Sequence, residues 1–177
     1  MDLVFDIEAN GLLEESTSIH CICGNYINDG EILSDKFSLY NNLLNKDTIL
    51  SYFTRADKII GHNIIKYDIP MLKKFYDIDL INLLGIERIV DTYILSQLFF
   101  PDRQLPRGCP TAVFNPIIKK IKKIGPHSLE AWGYRVGHKK IEIHDWREFN
   151  QDIIERCEID VLINAKAYFL MMKEAGL

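Results

Sequence analysis

Two acidic residues stand one position apart at the end of a short apolar run near the start of the chain. Asp6 and Glu8 follow Leu3-Val4-Phe5, and side chains at positions i and i+2 of a β-strand point to the same side. A strand over residues 1–9 would therefore aim two carboxylates at one place. Such charges repel unless a cation binds between them or one takes up a proton. The pair therefore predicts a cation site or a protonated carboxyl group.

Two further acids occupy positions from which they can join this pair. Asp68 follows a predicted strand and loop, and Asp160 borders an apolar stripe on the predicted last helix. Taken singly, Asp68 fits a helix N-cap and Asp160 a solvated charge, so it is their joint occurrence that favours a metal site. Oxygen ligands without a histidine and cysteine cluster suit Mg²⁺ or Mn²⁺ rather than zinc. Two such ions about 4 Å apart can stabilise both oxygens of a phosphoryl displacement.

The composition is that of an ordinary globular chain. Of its 177 residues, 47% are hydrophobic and 26% are charged, which is enough for one domain with a full core over residues 1–177. No apolar stretch could cross a membrane and no secretory signal is visible, so we expect a cytoplasmic protein without a membrane partner. The net charge of −4 is unusual for a nucleic-acid binder, but bound divalent cations would offset it.

The hydrophobic pattern predicts an α/β fold in which a mixed sheet is flanked by helices. Three antiparallel strands come first, over residues 1–9, 20–27 and 31–37. Short strands at 58–60 and 88–90 then alternate with helices at 41–55, 69–76 and 91–100. Residues 101–124 are predicted to be irregular, and helices follow at 129–135 and from 150 or 152 to about 172. Ligands collect at the carboxyl ends of such strands, where Asp6, Glu8, His62 and Asn63 would lie.

Four strings of residues resemble a known nuclease superfamily. They are residues 6–12 (Asp-Ile-Glu-Ala-Asn-Gly-Leu), 62–68 (His-Asn-Ile-Ile-Lys-Tyr-Asp), 90–96 (Val-Asp-Thr-Tyr-Ile-Leu-Ser) and 128–134 (Ser-Leu-Glu-Ala-Trp-Gly-Tyr), followed by Asp160-Val161 on the last helix. Together they resemble the DEDD superfamily of 3′→5′ exonucleases, which have a ribonuclease H-like fold. They are similar, within it, to the proofreading domain of phage family A DNA polymerases, from the first strand to the last helix.

The resemblance implies an exodeoxyribonuclease that removes 5′-mononucleotides from the 3′ end of single-stranded or frayed DNA. It implies two divalent cations, Mg²⁺ or Mn²⁺, held by four carboxylates, Asp6, Glu8, Asp68 and Asp160. Leu12 matches a leucine that wedges against the terminal bases, and His62, Asn63 and Tyr67 are expected in the same strand-binding cleft. The implied partners are the 3′ end of single-stranded DNA and a DNA polymerase domain or subunit. For a phage protein, the expected location is the host cytoplasm.

One position departs from the family pattern. The family has a tyrosine four residues before the last aspartate or a histidine five residues before it, and here Arg156 and Glu155 stand there. An arginine stays protonated and cannot be a general base. Arg156 can instead bind the scissile phosphate, pair with a metal-site carboxylate or be a solvated helix residue. Metal coordination alone can activate water, so we predict an active enzyme that is slower or shifted in its pH dependence.

The remaining alternatives concern the substrate and the extent of catalysis. Lys119 and Lys120 open a basic run that can follow a phosphate backbone or be a solvated loop. An exoribonuclease of the same superfamily is one alternative function, because two-metal chemistry does not choose the sugar. A catalytically weak nucleic-acid-binding module is the other, because of Arg156. The chain is either a stand-alone exonuclease or the proofreading part of a polymerase.

Overall fold

A five-stranded mixed sheet forms the centre of the computed structural model, which describes residues 1–115, 120–143 and 145–177. Its strands are β1 (Asp2–Ala9), β2 (Ile19–Asn28), β3 (Glu31–Tyr40), β4 (Ile59–Gly61) and β5 (Ile89–Asp91), in the order β3-β2-β1-β4-β5. The first three pair antiparallel, whereas β4 pairs in parallel with β1 and β5 in parallel with β4. The predicted mixed sheet of three antiparallel strands plus parallel strands is therefore confirmed.

Helices cover both faces of this sheet. In the described part of the chain they are α1 (Lys46–Phe53), α2 (Asp68–Tyr76), α3 (Leu80–Leu84), α4 (Thr92–Phe99), α5 (Leu129–Val136) and α6 (Gln151–Ala175). Side-chain caps set the start of several, since Ser128 accepts a hydrogen bond at the start of α5 and Asn150 does so at the start of α6. None of the helices described is both long and apolar enough to span a bilayer.

The structure differs from the sequence-based prediction in three places, and the first is the short helix α3 (Leu80–Leu84), which was not predicted. The helix predicted from residue 41 begins at Lys46, because Asn45 accepts a hydrogen bond from the Thr48 amide and caps it. Residues predicted to be irregular form a hairpin of β6 (Ala112–Asn115) and β7 (Lys120–Lys123). That hairpin has no buried face, so its residues carry none of the alternation by which a strand is recognised.

Strand β1 is buried on both of its faces. Leu3 and Phe5 pack with α1 and α2 on one side, where the rings of Phe5 and Phe53 meet edge to face at 4.7 Å between centroids. Val4 packs with Cys21, Cys23 and α6 on the other side. A strand held between two apolar layers has little freedom to shift. The side chains at its carboxyl end are therefore presented in a fixed arrangement.

Candidate active site

Three of the predicted carboxylates meet where β1 ends against α6. The carboxylate oxygens of Asp6, Glu8 and Asp160 lie within 4.8 Å of one another. Asp6 and Glu8 lie on the same face of β1. Asp6 is paired with Cys23 of β2 and Glu8 with Cys21, and the register of the pairing shifts directly after Glu8. Asp160 is 3% exposed, and its Oδ1 atom is buried without a hydrogen-bond partner among the described residues.

Asp68 contacts the backbone of β1 beside this place. It is the first residue of α2, is 3% exposed, and its Oδ1 accepts a hydrogen bond of 3.0 Å from the amide of Ile7. That amide lies between Asp6 and Glu8, and the Asp68 charge is close enough to raise the pKa of Asp6. Asp68 therefore lies beside the carboxyl end of β1, but outside the group of Asp6, Glu8 and Asp160 whose oxygens come within 4.8 Å of one another.

Burial and mutual repulsion raise the pKa values of three of these acids, Asp6, Glu8 and Asp68. Burial, followed by the charge of Glu8, raises the pKa of Asp6 well above its ordinary value. Burial raises the pKa of Glu8 to about 7 and that of Asp68 to about 8. Oxygen-only donors, raised pKa values and an unpartnered buried oxygen are features that a divalent cation would satisfy. The residues present therefore fit a divalent cation bound by oxygen ligands.

Arg156 is not a solvated helix residue, because its side chain is 18% exposed and points into the acids. Its Nε donates to Oε1 of Glu8 at 3.1 Å and lies 3.8 Å from Oδ2 of Asp160. Its Nη1 donates to the Ile141 carbonyl, and the guanidinium carbon lies 5.3 Å from the centre of the Trp146 ring. Of the contacts predicted for this arginine, the structure contains the pair with a candidate metal-site carboxylate.

Lys140 is a second cation in the site, and the sequence did not identify it. Its Nζ lies 2.6 Å from Oδ2 of Asp160, and the side chain is 16% exposed. It belongs to the segment between α5 and α6, whose described residues form neither a helix nor a strand. The sequence offers one signal, a pair of adjacent lysines, and the exposed Lys139 shows that this signal does not select the residue that enters the site.

Asp91 organises the loop that carries Asn63. One of its oxygens accepts from the amide of Asn63 at 2.9 Å and the other from the amide of Ile65 at 3.2 Å. It also caps α4 by accepting from the amides of Tyr93 and Ile94. Asn63 has a left-handed backbone with φ of 64°, so the loop needs such support. The sequence-based prediction began this helix at residue 91, so it included Asp91 in the helix and anticipated neither the cap nor the two loop contacts.

The other residues predicted to contact a strand occupy different environments. Leu12 is 44% exposed, and the Tyr67 hydroxyl donates to the Gly11 carbonyl at 2.8 Å, which fixes the turn before it. Nδ1 of His62 lies 3.0 Å from the Thr92 hydroxyl, and burial lowers the pKa of this histidine to about 3, so it is neutral. Lys120 is exposed on the hairpin, and Lys119 lies outside the described residues.

Three free cysteines pack beneath the acids. The thiols of Cys21, Cys23 and Cys157 lie within 4.8 Å of one another and are buried. Cys157 donates to the backbone carbonyl of Asp6 at 3.3 Å. These thiols fill the space between β2 and α6 and support the strand end from below.

The sequence of this chain is similar to those of two phage DNA polymerases. The chain is 31% identical over 182 residues to the DNA-directed DNA polymerase of Enterobacteria phage T3, and 30% identical to that of Escherichia phage T7. Each match covers 91% of this chain and 25% of the polymerase. This chain resembles part of a phage DNA polymerase. The resemblance predicted from the sequence is thereby confirmed, and the chain spans a quarter of the length of these relatives.

The fold is also similar to that of a nuclease. A solved structure described as the apo form of the nuclease superposes with a TM-score of 0.62 over 97% of this chain and 72% of that one. The identity is 14%, so this match supports the fold alone. It agrees with a ribonuclease H-like architecture. No family model matches the chain.

Proposed function

We propose that this chain is a divalent-metal-dependent 3′→5′ exonuclease that acts on single-stranded or frayed DNA and releases 5′-mononucleotides. The observation that carries the proposal is the meeting of Asp6, Glu8 and Asp160 within 4.8 Å around an unpartnered buried oxygen. Such a cluster is costly to fold unless cations bind it. The similarity to DNA-directed DNA polymerases supports DNA as the substrate, and a polymerase domain or subunit as a partner.

Asp6, Glu8, Asp68 and Asp160 would hold two ions, Mg²⁺ or Mn²⁺. When bound, such ions supply a water of lowered pKa and positive charge beside the leaving oxygen. The side chains of the protein bind the DNA strand and hold the acids in position. Arg156 fixes the Glu8 carboxylate through the hydrogen bond of 3.1 Å from its Nε to Oε1. Its charge also opposes the rise in the Glu8 pKa and so favours the ionised form of Glu8. In this proposal Leu12, which is exposed beyond the turn after β1, contacts an unpaired base of the strand.

The direct test is digestion of a 5′-labelled single strand of DNA in Mg²⁺ or Mn²⁺, with a matched RNA strand and a chelator control. We expect a ladder that shortens from the 3′ end, release of 5′-mononucleotides, slower loss of RNA, and no reaction in chelator. Faster digestion of RNA would identify an exoribonuclease. Binding of the DNA without turnover in any divalent ion would identify a binding module, and either result would overturn the proposal.

Replacing Arg156 with methionine is expected to move the pH dependence of cleavage. The change keeps an unbranched stem but removes the charge that opposes the rise in the Glu8 pKa, so that pKa should increase further above its value of about 7. Because ion binding needs ionised carboxylates, the acidic limb of the pH–rate profile should move up by about 1 pH unit. The measurement is the initial rate at fixed Mn²⁺ across pH.

Arg147→Met is the matched control for this experiment, because Arg147 pairs with Asp145 in an exposed position away from the acids. We expect its profile to coincide with that of the wild type. An Arg156→Met profile with an unmoved acidic limb would show that Arg156 does not control the ionisation of Glu8.

A further inference from the structure

Lys140 is held in the acid cluster by its own segment of chain. Helix α5 ends at Gly137 in a left-handed conformation, and the His138 amide then donates to the Gly133 carbonyl at 2.8 Å. A Cβ atom at residue 133 would lie 2.5 Å from the His138 carbonyl oxygen, so this close approach requires glycine. Beyond Lys140, the Ile141 carbonyl accepts from Arg156. The lysine is therefore fixed between two anchored points.

Lys140 contacts one of the two carboxylate oxygens of Asp160, which is a candidate ion ligand. Its ammonium group lies 2.6 Å from Oδ2 of Asp160, while Oδ1 of the same carboxylate has no partner among the described residues. Burial raises the pKa of Asp6 and of Glu8, and the charge of Lys140 opposes both rises. Lys140 thus performs in the free protein part of the neutralisation that a divalent ion would perform.

An ammonium group and a divalent ion cannot share one carboxylate without cost, because both are cations at short range. Filling the site should therefore displace the Lys140 ammonium from Asp160. The lysine stem is flexible, whereas its backbone stays anchored at residues 138 and 141. The displaced ammonium remains at the edge of the cluster, where the anion it can meet is the phosphate of a bound strand.

We propose that Lys140 is a catalytic residue that exchanges partners: it pairs with Asp160 in the ion-free site and binds the scissile phosphate once ions and a strand are present. This inference rests on the proposed function. It gives the site a cation that contacts the reacting group, at a place where Arg156 is already engaged with Glu8. It also predicts that one lysine lowers the affinity for ions and raises the rate of cleavage.

The test is Lys140→Gln, with Lys139→Gln as the matched control. Lys139 is exposed over the Tyr134 ring and does not reach the acids. Mn²⁺ affinity is measured by electron paramagnetic resonance without DNA, and single-turnover cleavage at saturating Mn²⁺. For Lys140→Gln we expect Mn²⁺ to bind about tenfold more tightly, which corresponds to about 1.4 kcal/mol, because a competing positive charge is removed. Cleavage should slow about tenfold or more, because a charge on the reacting phosphate is lost.

If the Lys140–Asp160 ion pair were only structural, its loss would not raise the Mn²⁺ affinity while lowering the cleavage rate. Lys140→Arg should restore most of the rate, and Lys140→Met repeats the test if glutamine disturbs the fold. Unchanged or weaker Mn²⁺ binding in both uncharged variants, or an undiminished rate, would overturn the inference. Normal Mn²⁺ binding by a wild-type protein that cleaves nothing would instead overturn the proposed function, so the two failures are distinguishable.

Discussion

Replacing Asp6 with asparagine is expected to abolish metal-dependent cleavage without destabilising the ion-free protein. Asp6 faces Glu8, Asp68 and Asp160, and burial together with those charges raises its pKa. The amide has the same shape, removes one charge from the cluster and is a poor ion ligand. Loss of one ligand should slow cleavage by about a thousandfold or more, which corresponds to the several kcal/mol that metal coordination supplies.

The stability of the same variant provides the more unusual readout. A raised pKa means that the folded protein holds a proton on Asp6 at low pH and loses stability as the pH rises through that pKa. Asparagine has no such dependence, so the variant should melt at a higher temperature than the wild type in chelator. Each kcal/mol corresponds to about 2–4 °C in a chain of this size. The difference should be larger at alkaline than at acidic pH.

Asp2→Asn is the matched control, because Asp2 lies at the other end of β1 and undergoes the same change. We expect it to keep both wild-type activity and the wild-type pH dependence of melting. Full activity in Asp6→Asn would exclude Asp6 as an ion ligand. A lower melting temperature than that of the wild type, in chelator at alkaline pH, would show that the carboxylates do not repel one another in the folded state.

Replacing Asp91 with alanine is expected to cause a large loss of stability. The loop that contains Asn63 and Ile65, to which Asp91 does not belong, should be the part most affected. The carboxylate serves the amides of Asn63 and Ile65 as well as the N-terminus of α4, and it is 5% exposed. Removing it leaves buried donors unsatisfied and removes a cap, at a cost of about 3–5 kcal/mol. The melting temperature should fall by about 10 °C.

Asp79→Ala controls for the loss of a cap alone, because Asp79 caps α3 and accepts from the amide of Asn82 without serving a second segment. It should cost about 1 kcal/mol. Hydrogen exchange distinguishes the two variants, since the amides of Asn63 and Ile65 should lose protection only in Asp91→Ala. Equal losses of stability in both variants would mean that the loop does not depend on Asp91.

The part of this site that the sequence could predict follows from local geometry. Asp6 and Glu8 share a face because strand side chains alternate, and no tertiary knowledge is needed for that. Asp68 and Asp160 were found because the first opens a predicted helix and the second borders an apolar stripe. The mixed sheet likewise followed from hairpin signals at the start of the chain and from alternating helices and strands later.

The part that could not be predicted depends on contacts between distant segments. Lys140 enters the site because its segment is anchored to α5 and to Arg156, and neither anchor leaves a periodic signal. The loop contacts of Asp91 join residues nearly thirty positions apart. The hairpin of β6 and β7 was missed for another reason, because exposed strands need no apolar face and so show no pattern.

The burial of β1 on both faces has a consequence for the lifetime of the protein. A rigid strand end cannot spread its acids to relieve their repulsion, so the part of that energy that Arg156 and Lys140 do not offset remains in the folded state until a divalent cation removes it. Any ion that binds the folded chain and not the unfolded one raises stability with its concentration. The supply of divalent ions around this protein should therefore set its resistance to proteolysis as well as its rate of turnover.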